Sequence, residues 1–398
     1  MSELLDEQLQ ALRAQSLHRK LREIGATHGA EVDVVGRHLV NFGSDDYLAL
    51  ANDPMLRDAA TAAIAEFGVG VGATRSMSGT RSPHVRLEAA LAKWKDTQAA
   101  LCFSSGYAAA LGTLQALAGK NDVVVLDKLC HAGLIDAARL SGATLRVFAH
   151  NHLGKLESHL EWARREHPDA RLLIVTEAVF ANEGDRAPLR ELIGLKKRFG
   201  AMLFVDESHA AGVIGANGRG LLAAENLTRG VDVQIGTLGK ALGVSGGYVA
   251  GSRNLIDWLV NRARSFILSS APPPALAAAA TAAIEFLSSD AGEQRRLALW
   301  RRIESLHFRL AERSISTARA AIDGSALYPI MVGDEQSAVD LARTLQADGF
   351  LVPVVHYPLV AKGAARLRIA VTAAHEEPQI RGLAEALGRH LPELASAA

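Results

Sequence analysis

Two phrases of the 398-residue chain hold residue types suited to carbonyl chemistry. The first, Ala-Met-Leu-Phe-Val-Asp-Glu-Ser-His at 201–209, is an apolar run ending in Asp206, with His209 three residues further on. The second, Gly-Thr-Leu-Gly-Lys-Ala-Leu-Gly at 236–243, sets Lys240 among glycines with Thr237 three residues before it. Most lysines are solvated surface charges. One embedded in a glycine-rich, otherwise apolar phrase loses hydration, which lowers its pKa and frees the amine to form an imine. An aspartate at a strand end commonly caps the following helix. Beside a pyridine nitrogen its carboxylate would instead keep that nitrogen protonated and make the ring an electron sink. His209 then falls within reach of a phenolic oxygen on the same ring.

Other residues supply the remaining parts of such a site. His131 follows Leu-Asp-Lys-Leu-Cys at 126–130. A lone histidine there is more often a loop residue, but a flat imidazole at a sheet edge could stack on a ring and donate to a carbonyl. Ser104-Ser105-Gly106-Tyr107 begins a helix after a strand. It reads either as an ordinary cap by Ser104 or Ser105, or as backbone amides and a helix dipole suited to phosphate. The Thr237 hydroxyl is a second phosphate candidate, and Ser269-Ser270 a third. Arg366-Leu-Arg368 alternates like a strand with both arginines on one face, so either could clamp a carboxylate, or both could be solvated. Each feature alone is weak; their order is not. Phosphate loop, ring-stacker, ring-nitrogen acid, phenol-oxygen histidine, imine lysine and carboxylate arginine are parts of one site for pyridoxal phosphate (PLP).

These residues need strand ends to hold them. From residue 99 onward, short apolar runs at 100–103, 123–126, 145–148, 172–175, 202–205, 233–235 and 248–250 alternate with helical stretches. That rhythm predicts a mainly parallel sheet of seven strands covered by helices, an α/β fold with ligands beyond the carboxyl ends. Upstream, leucine periodicity predicts a helix over 3–24, a hairpin over 32–42 turning at Gly36-Arg37, and helices over 54–67 and 84–94. The glycine-rich 68–75 is not a dinucleotide fingerprint, because Arg75 stands where the third glycine belongs and a helix precedes it. After Pro272-Pro273-Pro274 the rhythm gives way to a long helical region reaching about residue 314, then strands near 326–331 and 366–370 and a terminal helix. The expected organisation is an arm at 1–45, a large cofactor-binding domain at 46–287 and a smaller αβ domain at 288–398.

Composition limits the partners. Basic and acidic residues number 43 each, so no net field draws the chain to nucleic acid or anionic lipid. Cys102 and Cys130 fit neither a metal half-site nor a redox motif and read as reduced core thiols. The most apolar run, 271–287, opens on three prolines and contains Glu285, which suits a core helix rather than a membrane span. With no signal-peptide pattern at the start, the cytoplasm is the expected compartment.

From the N-terminal helix to about His375 the chain resembles the α-oxoamine synthases, PLP enzymes of fold type I. The phrases that carry the resemblance include Asp46-Tyr47-Leu48, Ser78-Gly79-Thr80 with His84, Phe103-Ser-Ser-Gly-Tyr107 and His131-Ala-Gly-Leu-Ile-Asp136. Gly184-Asp185, Val205-Asp-Glu-Ser-His209, Gly212-Val-Ile-Gly215, Thr237-Leu-Gly-Lys240 and Arg366-Leu-Arg-Ile369 complete it. The resemblance implies condensation of an amino acid with an acyl-CoA, with loss of CO2, in a homodimer whose sites are shared. It implies that Lys240 binds the cofactor and takes the α-proton, Asp206 sustains the pyridinium, His209 holds the phenolic oxygen, and His131 stacks and assists the acyl carbonyl. Gly106, Tyr107 and Thr237 match phosphate-side positions, and Ser270 with Ser269 matches a contact donated across the dimer. Arg368 matches the carboxylate clamp and Arg22 an acyl-substrate arginine on the N-terminal helix. Four positions depart from the family: Ala181 for serine, Asp45 for asparagine, Leu359 for threonine and Ala361 for proline. Asp45 and Leu359 touch the substrate ends, so the cofactor is more firmly implied than the acyl chain or the choice among alanine, glycine and serine. An aminotransferase or aldolase of the same fold type is the competing enzyme class, and a non-catalytic module the competing non-enzyme. His131 and Arg22 weigh against the first, Lys240 and Asp206 against the second.

Overall fold

Seven apolar runs form the largest sheet in the computed structural model, which describes residues 2–317 and 324–397. In chain order they are β1 (Ala99–Phe103), β2 (Val123–Asp127), β3 (Thr144–Phe148), β4 (Leu172–Glu177), β5 (Met202–Asp206), β6 (Val233–Thr237) and β7 (Gly247–Gly251). Across the sheet the order is β1-β7-β6-β5-β4-β2-β3. The pairs among β2 to β6 are parallel, while β7 runs antiparallel to both β1 and β6. The sheet is therefore mainly parallel, with one reversed strand that the apolar rhythm did not distinguish. The reversal follows from the short connection 238–246, because parallel neighbours need a long crossover and antiparallel ones do not. β1, β2, β4 and β7 are buried along their whole length, hence their unbroken apolar character. Helices Ser82–Lys95, Gly106–Leu117, Leu153–Glu166, Leu189–Phe199 and Arg253–Arg262 pack on the sheet, and Pro274–Leu287 packs on Pro54–Phe67 and Ser82–Lys95. Cys102 and Cys130 are buried free thiols.

This sheet belongs to a unit made of Leu50–Ala181 and Arg186–Arg296. A second unit gathers the chain up to Ala49, the excursion Asn182–Asp185 and the chain from Leu297 onward. In it, Glu31–Val34 and Arg37–Asn41 form a hairpin, extended by Thr27–His28 and, in parallel, by Phe350–Leu351. The turn falls one residue earlier than expected, on Val35 and Gly36 at φ 55° and 75°, the twist that two-residue hairpin loops prefer. Leu327–Gly333, Ala365–Ala370 and Val354–Val355 make an antiparallel three-stranded sheet, accompanied by helices Glu335–Ala347 and Glu377–Ala397.

The N-terminal helix is shorter than its leucine periodicity predicts: it spans Ser2–Ala14 rather than 3–24. Ser16 turns left-handed at φ 57°, and the Leu17 N–H donates back to the Leu12 carbonyl at 2.9 Å. That is a helix-closing motif in which Leu17, buried, is the apolar contact that ends the helix rather than its next rung. Leu21 is fully exposed, and Arg22 lies beyond the helix, not on it. Among the described residues no helix is long and apolar enough to cross a membrane.

Candidate active site

The loop 238–246 joins β6 to β7 and carries Lys240. Its ends are tied where Leu238 N–H donates to the Gly246 carbonyl at 2.9 Å and Val244 N–H to the Leu238 carbonyl at 2.9 Å. Gly243, at φ 70°, lies so close to the backbone of Leu50 and Ala51 that no side chain would fit, which pins the loop from outside. Lys240 Nζ stands 2.6 Å from His209 Nε2. His209 is buried at 4% exposure, on the segment that follows β5.

Asp206 closes β5. Its Oδ1 accepts the Ser208 N–H at 2.7 Å and its carbonyl accepts the Ala178 N–H at 2.8 Å, so the carboxylate is held at the strand end. Opposite it in the parallel register is Glu177, the last residue of β4. Glu177 accepts the backbone N–H groups of His131 and Ala181. Ala181 thus meets this carboxyl through its main chain and brings no hydroxyl. His131 caps helix Ala132–Leu140, its Nδ1 accepting the Gly133 N–H at 3.1 Å, which leaves Nε2 to carry the proton.

The phosphate candidates separate. Ser105 is the cap of helix Gly106–Leu117, its Oγ accepting the Ala108 N–H at 3.0 Å. The amides of Gly106 and Tyr107 lie in the first turn, where a helix offers no acceptor. A Cβ on Gly106 would stand 3.4 Å from Thr237 Cβ, so the helix start and the Thr237 loop are adjacent. Thr237 Oγ1 donates to the Gly246 carbonyl at 3.0 Å and accepts the Gly239 N–H at 3.1 Å. The Tyr107 ring lies over Gly133, next to His131, and its hydroxyl donates to Asp136 Oδ2 at 3.2 Å. Ser269 is half-buried and Ser270 exposed, Ser270 bridging Thr74 on the glycine-rich segment.

The charges of these groups act on one another. Burial of the ring lowers the His131 pKa although the residue as a whole is exposed; the Asp206 charge opposes this and Lys240 reinforces it. Burial, then the charge of Asp206, pushes the Glu177 carboxyl up to about 8, and the donated N–H groups offset only part of that. Sequence reasoning missed Glu177. The signal was present, since Glu177 ends an apolar strand just as Asp206 ends the next one.

In the other unit, strand Ala365–Ala370 sets Arg366 and Arg368 on one face, and their partners tell them apart. Arg366 Nη1 donates to buried Glu183 Oε1 at 3.0 Å, a closed internal pair. Arg368 Nη1 lies 3.0 Å from Asp45 Oδ1, whose side chain keeps 29% exposure, and the Tyr47 hydroxyl donates to the same oxygen at 3.3 Å. Arg22 is exposed, with Nη1 3.4 Å from Gln346 Oε1. Leu359 is 54% exposed, its N–H donating to the His356 carbonyl at 3.0 Å.

The model of the family "Aminotransferase class I and II" matches residues 37–387. The 8-amino-7-oxononanoate synthase of Anaeromyxobacter dehalogenans is 45% identical, over 98% of this chain and 96% of that protein. That of Geobacter sulfurreducens is 41% identical over 99% of each. Among solved structures, serine palmitoyltransferase from S. paucimobilis superposes with a TM-score of 0.92 at 28% identity, covering 98% of each chain. The chain belongs to the α-oxoamine synthases, within the class I and II aminotransferases. An 8-amino-7-oxononanoate synthase structure from Francisella tularensis gives a TM-score of 0.76 at 26% identity, over 89% of this chain and 98% of that one. As an α-oxoamine synthase of fold type I, the chain is a PLP-dependent acyltransferase.

Proposed function

We propose that the chain joins L-alanine to a pimeloyl thioester, releasing CO2 and the thiol, the step of biotin biosynthesis that yields 8-amino-7-oxononanoate. The name shared by the relatives supports this pair by carbon counting. Cutting the product between its ketone and its amine-bearing carbon leaves a seven-carbon diacid acyl group and the two carbons that alanine keeps after losing its carboxyl.

The observation that carries the reading is the contact of Lys240 Nζ with His209 Nε2 at 2.6 Å, in the unit that also holds Asp206 and His131. These residues fit PLP by donor type: an amine, a fixed carboxylate, a histidine, and helix-start amides beside a threonine hydroxyl. PLP, when bound, supplies an electron sink for charge developing at the amino acid's α-carbon. Lys240 Nζ is the amine that would hold the cofactor at its aldehyde carbon, and the base that would take the α-proton. Asp206 would keep the ring nitrogen protonated, and His209 would hold the phenolic oxygen. His131 would lie against the ring and donate from Nε2 to the acyl carbonyl, which its Gly133 bond leaves that nitrogen able to do. Gly106, Tyr107 and Thr237 hold the phosphate. Ser269 and Ser270 act on the phosphate of a second copy, which makes the working enzyme a homodimer in the cytoplasm. Arg368 takes the amino-acid carboxylate, while Arg22 and Leu359 meet the acyl substrate.

The likeness to serine palmitoyltransferase favours a second reading, serine with a longer acyl chain. A panel of L-alanine, glycine and L-serine crossed with pimeloyl-, acetyl- and palmitoyl-CoA, scored by thiol release, separates the two. The highest kcat/KM is expected for L-alanine with pimeloyl-CoA; another pair exceeding it tenfold would replace this assignment.

A further inference from the structure

By the resemblance, asparagine is usual in the α-oxoamine synthases where this chain has Asp45. Asparagine is neutral and both donates and accepts, whereas an ionised aspartate only accepts and brings a full charge. Here that charge is already spent on the residue proposed to receive the substrate's carboxylate. Arg368 Nη1 lies 3.0 Å from Asp45 Oδ1, and the hydroxyl of buried Tyr47 donates to the same oxygen at 3.3 Å. The pair is fixed from both sides. The Arg368 N–H donates to the Pro353 carbonyl at 3.0 Å, and the Ala373 N–H to the Tyr47 carbonyl at 2.8 Å. Asp46 N–H donates to Ser44 Oγ at 3.2 Å and Tyr47 N–H to the Asp45 carbonyl at 2.8 Å, which tie the backbone around Asp45. Arg368 is 13% exposed and Asp45 29%, open enough for a ligand to reach and dry enough for charge to act strongly.

A second carboxylate arriving at Arg368 has to share one guanidinium with Asp45 or displace it. We propose that Asp45 is a specificity-determining residue: it serves Arg368 as an internal counter-ion that the amino-acid carboxylate must displace, so the site holds the carboxylated substrate less tightly than the carboxylate-free product. Once the carboxylate has left as CO2, Asp45 returns to Arg368. The inference rests on the reading of Arg368 given above, and its test separates the two.

PLP-loaded protein without any acyl thioester is titrated with L-alanine, and with ethylamine as an amine lacking a carboxylate, following the cofactor's absorbance to obtain Kd. Asp45→Asn is expected to bind L-alanine on the order of tenfold more tightly and ethylamine unchanged. Asp45→Glu keeps the charge and is expected to keep the weak binding. Arg368→Gln is expected to weaken L-alanine on the order of tenfold or more and to abolish the gain from Asp45→Asn. Asp45→Ser carries the same expectation as Asp45→Asn and replaces it if that variant does not fold. If Arg368→Gln weakens L-alanine while neither neutral variant tightens it, Asp45 has no such role and Arg368 keeps its own. If Arg368→Gln leaves the Kd of L-alanine unchanged, the carboxylate reading of Arg368 fails and the inference about Asp45 falls with it.

Discussion

At neutral pH Glu177, its pKa pushed up to about 8 by burial and by Asp206, keeps its proton while accepting the His131 N–H. The proton removes a second negative charge from beside Asp206, and the carboxyl oxygen anchors the backbone at His131. Glu177→Gln preserves the acceptor without the titration, so kcat at pH 7 is expected to stay within about threefold of the parent. Glu177→Ala leaves a buried N–H unsatisfied, at a cost of about 1–3 kcal/mol, and frees His131 to shift, so kcat is expected to fall tenfold or more. The sign of the pH effect follows from the raised pKa. The native state holds a proton that the unfolded chain releases above about 4.5, so Glu177 costs stability as pH climbs toward about 8. Glu177→Gln is therefore expected to gain urea resistance relative to the parent between pH 6 and 8; no gain there would mean that Glu177 is already ionised. At this scale the sequence was legible where type and neighbours sufficed, as with Lys240 among glycines. It was silent where a partner distant in sequence decides, as when Glu183 claims Arg366 and Asp45 claims Arg368.

The hairpin of β6 and β7 is the element that carries Lys240, and its fit to the start of helix Gly106–Leu117 is close. A Cβ on Gly247 would fall inside van der Waals contact of the Ser105 carbonyl group and the Gly106 nitrogen. Gly247→Ala must therefore push the start of helix Gly106–Leu117 outward, at a cost of about 1–3 kcal/mol typical of overpacking. The expected outcome is a lower Tm together with weaker PLP retention on dialysis; a normal Tm with normal retention would show that the helix start does not depend on this contact. Strands β1, β2, β4 and β7 were readable because they are buried along their whole length and apolar, whereas β3, with Arg146 and a half-buried pattern, was readable only from its place in the rhythm. The direction of β7 was not read, although the length of its connection implies it. The end of the N-terminal helix was unreadable from periodicity, since Leu17 keeps the spacing while serving to close the helix. That error is why Arg22 lies off the helix to which the resemblance assigned it.

Across the whole molecule, buried histidines set the acid limit. His375 is stacked on Phe42 at 4.1 Å, its Nδ1 accepts the Thr372 N–H at 2.9 Å, and burial lowers its pKa to about 4. Because the unfolded chain takes up that proton near 6.5 and the native one does not, stability falls as pH drops from 6.5 toward 4, by up to about 3 kcal/mol. His84 and His131, also lowered, act in the same direction. Urea unfolding at pH 7 and pH 4.5 is expected to show this loss, and His375→Gln to reduce it; equal stability at both values would refute it. The balanced charge was legible in composition, and among the described residues no helix is long and apolar enough to cross a membrane. What composition cannot supply is the acyl group, since Leu359, which the resemblance sets at the acyl end, departs from the family. The central claim is decarboxylative condensation carried by Lys240, and the most direct measurement is stoichiometric. With carboxyl-labelled L-alanine and pimeloyl-CoA, the account predicts one CO2 and one free thiol per turnover, both lost in Lys240→Ala. Keto acid formed from alanine with no release of thiol or CO2 would contradict it.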